Sequence, residues 1–252
     1  MCKNRSCLIV LGLLMFNCSA VNAEATIVAV AANFTKPMTE IAVEFEKTTG
    51  HTVKLAFGSS GKFVAQIENG APYEVFLSAD ETGPVKLEQA GLSVPDTRFV
   101  YAIGRLVLWS AVPGLVDEQG KVLSSSGFKH LAIADPKLAP YGVAAIEVLG
   151  KQGLADKLKP LLVLGENITQ AYQFVSTGNA ELGFIALSQV FEQGKIASGS
   201  AWIVPFDQYS ALTQSAVLLN LGSENPAAKA LMAYLKSDAA RNIIKKYGYN
   251  LP

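Results

Sequence analysis

Short, almost wholly apolar runs alternate along the chain with segments in which apolar residues recur every three or four positions. Thr26–Ala32 (TIVAVAA) reads as a strand covered on both faces. After Asn33-Phe34-Thr35-Lys36-Pro37, the residues Met38, Ile41, Ala42 and Phe45 fall at helical spacing. Pro37 is tolerable in the first turn of that helix and Gly50 ends it. Val53–Phe57 predicts a second strand, which leads through Gly58-Ser59-Ser60-Gly61 into a helix carrying Phe63, Val64 and Ile67. Glu74–Ser78 predicts a third, followed by Ala79-Asp80 and a helix around Val85–Gln89. Three strand–helix units in succession predict a parallel sheet with helices on both faces.

Phe99–Ser110 (FVYAIGRLVLWS) is a strand-like run of about twice the usual length, broken at Gly104. The alternation then restarts with His130–Ala134, the loop Asp135–Pro140 and a helix from Tyr141. A strand near Leu161–Leu164, a helix from about Ile168 and a strand at Leu182–Ala186 follow. A second long apolar segment, Leu212–Asn220, precedes helices at Ala227–Leu235 and Ala239–Tyr247. Two α/β units joined by two long strands imply two lobes with a cleft between them.

The first residues have a different character. Lys3 and Arg5 precede an apolar run, Leu8–Phe16, and Val21-Asn22-Ala23 supplies small residues at a cleavage point. That is the layout of a secretory signal peptide, so 1–23 is expected to be removed near Ala23. All three cysteines (Cys2, Cys7, Cys18) lie in it, so the exported chain has no disulfide, thiolate nucleophile or cysteine metal ligand. Without 1–23 the chain carries 19 basic against 21 acidic residues, which gives a polyanion no bulk attraction and excludes a basic nucleic-acid binder.

Three loops end a strand, begin a helix and are small and polar: Ala32-Asn33-Phe34-Thr35, Gly58-Ser59-Ser60-Gly61 and Gly165-Glu166-Asn167-Ile168-Thr169. Ligands of open α/β sheets bind beyond the carboxyl ends of the strands. A helix start there offers unpaired N–H groups and the positive end of the helix dipole. Asn33 and Ser60 add side-chain donors, although Asn33, Ser60 and Asn167 are also the residue types that ordinarily cap helices. Other chemistry fails on inspection. Gly58-Ser59-Ser60-Gly61-Lys62 is too short for a phosphate loop and is followed by Phe63 rather than a hydroxyl. There is no G-x-S-x-G elbow. His51 and His130 are the only histidines, are placed at the surface or at strand ends, and lack metal-ligand spacing. Trp109, Trp202 and Leu182–Ile185 read as packing residues. None of Arg98, Arg105 and Arg241 lies in a candidate loop, so no bidentate arginine clamp is evident.

With these segments assembled, the sequence resembles the periplasmic molybdate-binding proteins of bacterial ABC transporters, members of the type II solute-binding family. The likeness rests on VAVAANFTKPM, FGSSGKFVAQIENGAPYEVFLSADE, YAIGRLVLWS, IADPKLAPYG and KKYGYNLP, and runs from about Thr26 to Pro252. It implies an α/β, two-lobed fold, each lobe a mostly parallel sheet flanked by helices, joined by two hinge strands. The lobes would be 24–104 with 209–252, and 105–208.

The resemblance further implies capture of molybdate, and of tungstate, in the cleft by neutral hydrogen-bond donors, with delivery to an inner-membrane ABC permease. The exported protein would be a monomer in the periplasm, would catalyse nothing, and would need no cofactor and no nucleic acid. The family's first-loop ligand falls on Asn33 and its second-loop serine on Ser60, with Ser59 as the neighbouring alternative. Its backbone donors fall on Tyr141 and Ile168, and all four would meet the metal only through molybdate oxygens. One departure stands out: several members carry a ligand tyrosine where this chain has Ala186, and the hydroxyl of Tyr141 is a candidate to compensate. The competing readings are a solute-binding protein for another oxyanion such as sulfate, an exported enzyme and a ligand-sensing regulator. The last two lack a nucleophile–base set and a DNA-binding segment respectively.

Overall fold

The computed structural model describes residues 23–125 and 127–252. The expected signal peptide, apart from Ala23, lies outside the described residues, as do all three cysteines.

The chain begins with β1 (Ala25–Ala31), whose last four residues are buried, and a short 3₁₀ turn at Ala32–Phe34. Helix α1 (Thr35–Thr49) follows and buries Met38, Ile41 and Phe45 completely. It stops at Gly50, whose φ of +74° is the left-handed conformation that glycine adopts without a Cβ penalty. Strand β2 (Thr52–Gly58), helix α2 (Ser60–Glu68), strand β3 (Val75–Leu77) and helix α3 (Thr82–Gln89) complete the first series. β1 lies between β2 and β3 and is parallel to both.

The long run Phe99–Ser110 divides into β4 (Phe99–Gly104) and β5 (Leu106–Ser110), which belong to different sheets. Gly104 at the break is required by close packing: a Cβ there would collide with the Tyr141 hydroxyl and the Gln214 amide. The second series comprises β6 (Leu131–Ala134), α4 (Pro140–Lys151), α5 (Ala155–Leu158), β7 (Leu162–Gly165), α6 (Ile168–Ser176) and β8 (Leu182–Ala186). A one-turn helix α7 (Leu187–Val190), the hairpin β9 (Phe191–Glu192) and β10 (Lys195–Ile196), and β11 (Ser200–Ile203) lie beyond it. The chain closes with β12 (Leu212–Leu218), α8 (Pro226–Tyr234) and α9 (Asp238–Lys246).

The first sheet has the order β2-β1-β3-β12-β4, and β12 alone runs against the rest. The second has the order β11-β5-β8-β6-β7, with β5 alone opposed. Each sheet is therefore mostly parallel, with helices packed against it. Val28, Val30, Met38 and Leu231 fill one side of the first sheet, and Ala29, Phe63 and Phe76 the other. Leu106, Leu108, Ile133, Leu149 and Phe184 centre the core of the second.

Two expectations change. The apolar segment from Leu212 does not pass between the sheets. β12 sits inside the first sheet, paired with β3 and β4, and is apolar because it is buried there. The return passage is the less regular stretch 204–211, with a 3₁₀ turn at Phe206–Gln208. His51 does precede a strand but is not at the surface: it is 5% exposed, its Nδ1 accepts from the Glu24 N–H at 3.2 Å, and its ring stacks on Phe45. Trp109 and Trp202 both pack in the second sheet, on the neighbouring strands β5 and β11.

Candidate functional site

The carboxyl ends of β1 and β2 face the amino ends of α4 and α6 across a small, tight cavity. Asn33, Ser60, Tyr141 and Ile168 all line it, along with Ser59 and Asn167, and no charged side chain is in its wall. Three helices of nine or more residues, α2, α4 and α6, begin there.

Local chemistry shapes each helix start. Asp135 Oδ1 accepts from the Lys137 N–H at 2.9 Å, and the Asp135 carbonyl accepts from Leu138 and Ala139 at 3.0 and 2.9 Å. This tight turn delivers Pro140 to the first position of α4, where its missing N–H costs nothing. Gly142 then lets α4 lie directly on the strand end, since a Cβ would strike the Ala134 carbonyl. At α6, Asn167 is an ordinary N-cap: its Oδ1 accepts from the Thr169 and Gln170 N–H groups at 3.0 and 3.1 Å. That bonding leaves the N–H of Ile168, the first helical residue, without an intrahelical partner; the N–H of Tyr141, in the first turn of α4, has none either.

Ser60 opens α2. Its Oγ accepts from the Ala79 N–H at 2.9 Å, so its own proton remains to be donated elsewhere. Ser59 is 2% exposed, and its Oγ has no partner among the described residues. A buried hydroxyl left unpaired costs about 1–3 kcal/mol, which marks Ser59 as a second donor in want of an acceptor.

Asn33 is 3% exposed, and its Nδ2 is already engaged, donating to Gln214 Oε1 at 2.9 Å and to Tyr249 Oη at 3.0 Å. The Tyr141 hydroxyl is also turned away from the expected role. It accepts from Gln214 Nε2 at 3.3 Å, beside Gly104 at the passage between the sheets. These residues belong to a buried polar network behind the cavity, which sequence reading did not single out. Tyr101 Oη lies 2.9 Å from Gln214 Oε1 and 3.1 Å from the Ser78 carbonyl. Tyr249 Oη and Ser188 Oγ both donate to the Asn33 carbonyl at 2.8 Å. Burial pushes the Tyr101 and Tyr141 hydroxyls well above the usual tyrosine range and the Tyr249 hydroxyl up to about 12, so all three stay neutral and protonated. Gln214 sits in the polar stretch Thr213-Gln214-Ser215 of a strand that is otherwise apolar and buried at nearly every position.

The two sides touch at the mouth. The Gly61 N–H donates to the Leu138 carbonyl at 2.9 Å, and Lys62 Nζ meets Glu166 Oε2 at 2.7 Å. Both ends of that ion pair are nearly half exposed, so it contributes little stability. Among the described residues no cluster of histidine, cysteine, aspartate or glutamate could hold a metal ion. The cavity offers hydrogen-bond donors and helix amino ends, an arrangement suited to a small anion.

Comparison with known proteins agrees in kind. The family described as bacterial extracellular solute-binding protein matches residues 26–250. The molybdate-binding protein ModA of Azotobacter vinelandii is 57% identical over 243 residues, covering 96% of each chain. Its namesake in Rhodobacter capsulatus is 55% identical over 227 residues, covering 90% of this chain and 88% of the relative. A solved structure of the periplasmic molybdate-binding protein of Azotobacter vinelandii superposes with a TM-score of 0.88 at 46% identity, covering 90% of this chain and 99% of the other.

Proposed function

The chain belongs to the bacterial extracellular solute-binding protein family, and from that premise we propose that it captures molybdate in the periplasm and hands it to an inner-membrane ABC permease. It performs no reaction on its cargo. Tungstate, nearly the same in size and charge, binds in the same way. The signal peptide is removed near Ala23, and the exported chain works as a monomer with two lobes, 24–104 with 209–252, and 105–208. The lobes close on the anion by a hinge motion.

The observation that carries this reading is the single uncharged cavity on which Asn33, Ser60, Tyr141 and Ile168 converge. In the bound state the Ser60 hydroxyl, the backbone N–H groups of Tyr141 and Ile168 and the side chain of Asn33 hold the oxygens of the dianion. Ser59 is a further donor. The helix starts supply the electrostatics: three amino ends contribute roughly half a positive charge each, offsetting most of a double negative charge without any arginine or lysine.

Selectivity follows from the chemistry of donors. Molybdate and tungstate present only acceptors. Hydrogen phosphate brings a proton that must find an acceptor, and burying it unpaired costs about 1–3 kcal/mol. Sulfate has the right charge but shorter bonds, so a cage sized for molybdate holds it with long hydrogen bonds. Isothermal titration of residues 24–252 with molybdate, tungstate, sulfate and phosphate tests the reading. Tight one-to-one binding of the first two with little heat from the others is the expected result. Tight binding of sulfate or phosphate alone would keep the transport class and replace the cargo, and silence from all four would refute anion capture.

A further inference from the structure

Behind the cavity, Gln214 is fully buried and bonds to Asn33, Tyr101 and Tyr141. Carboxamide nitrogen and oxygen differ as donor and acceptor but are nearly the same size, so the partners around them decide which is where. With Asn33 Nδ2 directed at Gln214 Oε1 and Tyr249 Oη, Asn33 Oδ1 has no donor among the described residues. Gln214 Nε2 donates to the Tyr141 hydroxyl at 3.3 Å. This arrangement leaves a carbonyl oxygen as the free end of Asn33, the wrong polarity for a dianion.

Turning both amides over keeps every heavy-atom distance and pairs every group except the Asn33 NH₂. Gln214 Nε2 then donates to Asn33 Oδ1 and to Tyr101 Oη, across the same separations of 2.9 Å. Tyr101 passes its own proton to the Ser78 carbonyl, 3.1 Å away. Tyr141 donates to Gln214 Oε1 at 3.3 Å, and Tyr249 can serve Asn33 Oδ1 at 3.0 Å while Ser188 holds the Asn33 carbonyl. Both protons of Asn33 Nδ2 are now free for the cavity. The two amides are coupled, because Gln214 can offer Asn33 its nitrogen only by offering Tyr141 its oxygen.

Resting on the anion-capture reading, we propose that Gln214 is a positioning residue that sets which end of the Asn33 side chain meets the cargo. It thereby sets the rejection of protonated oxyanions. With Gln214 turned as described, the cage is all donors. Without it, Asn33 is free to present its oxygen, which welcomes the proton of hydrogen phosphate and repels molybdate.

The test compares the wild-type exported chain with Gln214→Met, a change of similar volume that removes the instruction without adding charge. Molybdate affinity is read by titration and hydrogen phosphate affinity by competition. The expected result is a loss of about tenfold or more for molybdate with no matching loss for phosphate, so that the selectivity ratio shrinks by about that factor. Equal weakening of both anions, or no change in either, would reduce Gln214 to a packing role and overturn the proposal. Failure of the wild-type chain to bind molybdate would instead remove the capture reading, before any variant is considered. Should the variant not fold, nitrogen-15 NMR of the wild-type protein carries the same question. Molybdate should shift the side-chain NH₂ pair of Asn33 strongly and that of Gln214 far less, and an unmoved Asn33 pair overturns the assignment.

Discussion

The Ser60 hydroxyl is fixed by what it accepts: the Ala79 N–H holds its oxygen, which leaves a single proton with a defined direction. Ser60→Ala removes that donor and also strands the Ala79 N–H, so titration should show molybdate affinity falling by about ten- to a hundredfold. Tyr141 behaves differently, because its hydroxyl belongs to the network around Gln214 while its backbone sits at the cavity. Tyr141→Phe should therefore keep molybdate affinity within about threefold and lower unfolding stability by about 1 kcal/mol, as read by chemical denaturation. The loops that hold Asn33, Ser60 and Ile168 were legible because strand ends and helix starts are written in local residue types, whereas Tyr141 entered only through the family resemblance. The bonding state of their side chains was not legible. Gln214 and Tyr249 reach Asn33 across separations of 181 and 216 residues, and the Tyr101 ring packs on Phe34; no local pattern reports such a meeting.

At the level of elements, the site is a meeting of helix amino ends, and α2 also forms the mouth. Gly61, in its first turn, gives its N–H to the Leu138 carbonyl, and a Cβ at that position would come within 2.9 Å of the same oxygen. Gly61→Ala should favour α2 by up to about 1 kcal/mol through helix propensity while obstructing the approach of the Asp135–Pro140 loop. The expected outcome is an unchanged or higher melting temperature without anion and a molybdate affinity lowered by about tenfold; a variant that binds normally would show that this approach is not needed for closure. The strand–helix alternation announced most elements within a residue or two. β11 and the β9–β10 hairpin escaped notice because SAWI, FE and KI lack the continuous apolar run that marked the equally short β3, β6 and β7. The segment from Leu212 misled for the opposite reason, since burial in the middle of a sheet and passage between sheets leave the same apolar signature.

Over the whole molecule, the absence of charged groups from the cavity wall makes a statement about pH. The tyrosines behind it are buried, and that burial holds them protonated. Molybdate affinity should accordingly be flat between about pH 6 and pH 9. Stability has a defined sign at the alkaline end. Above about pH 10 the unfolded chain releases tyrosine protons that the folded chain retains, so the unfolded state binds fewer protons and stability falls as pH rises. For Tyr249 that loss runs up to its folded value of about 12. Melting temperatures across the range should be level to about pH 9 and then decline.

The placement of Trp109 and Trp202 on adjacent strands of one sheet has a practical consequence. They are the only tryptophans in the chain, and neither lines the cavity of Asn33, Ser60, Tyr141 and Ile168. Indole emission is therefore a one-sided witness: it reports the integrity of the second lobe and stays nearly silent about cargo and about the first. A melt followed by fluorescence and one followed by heat capacity observe different parts of the same molecule. Where the two curves separate, the halves are coming apart one at a time.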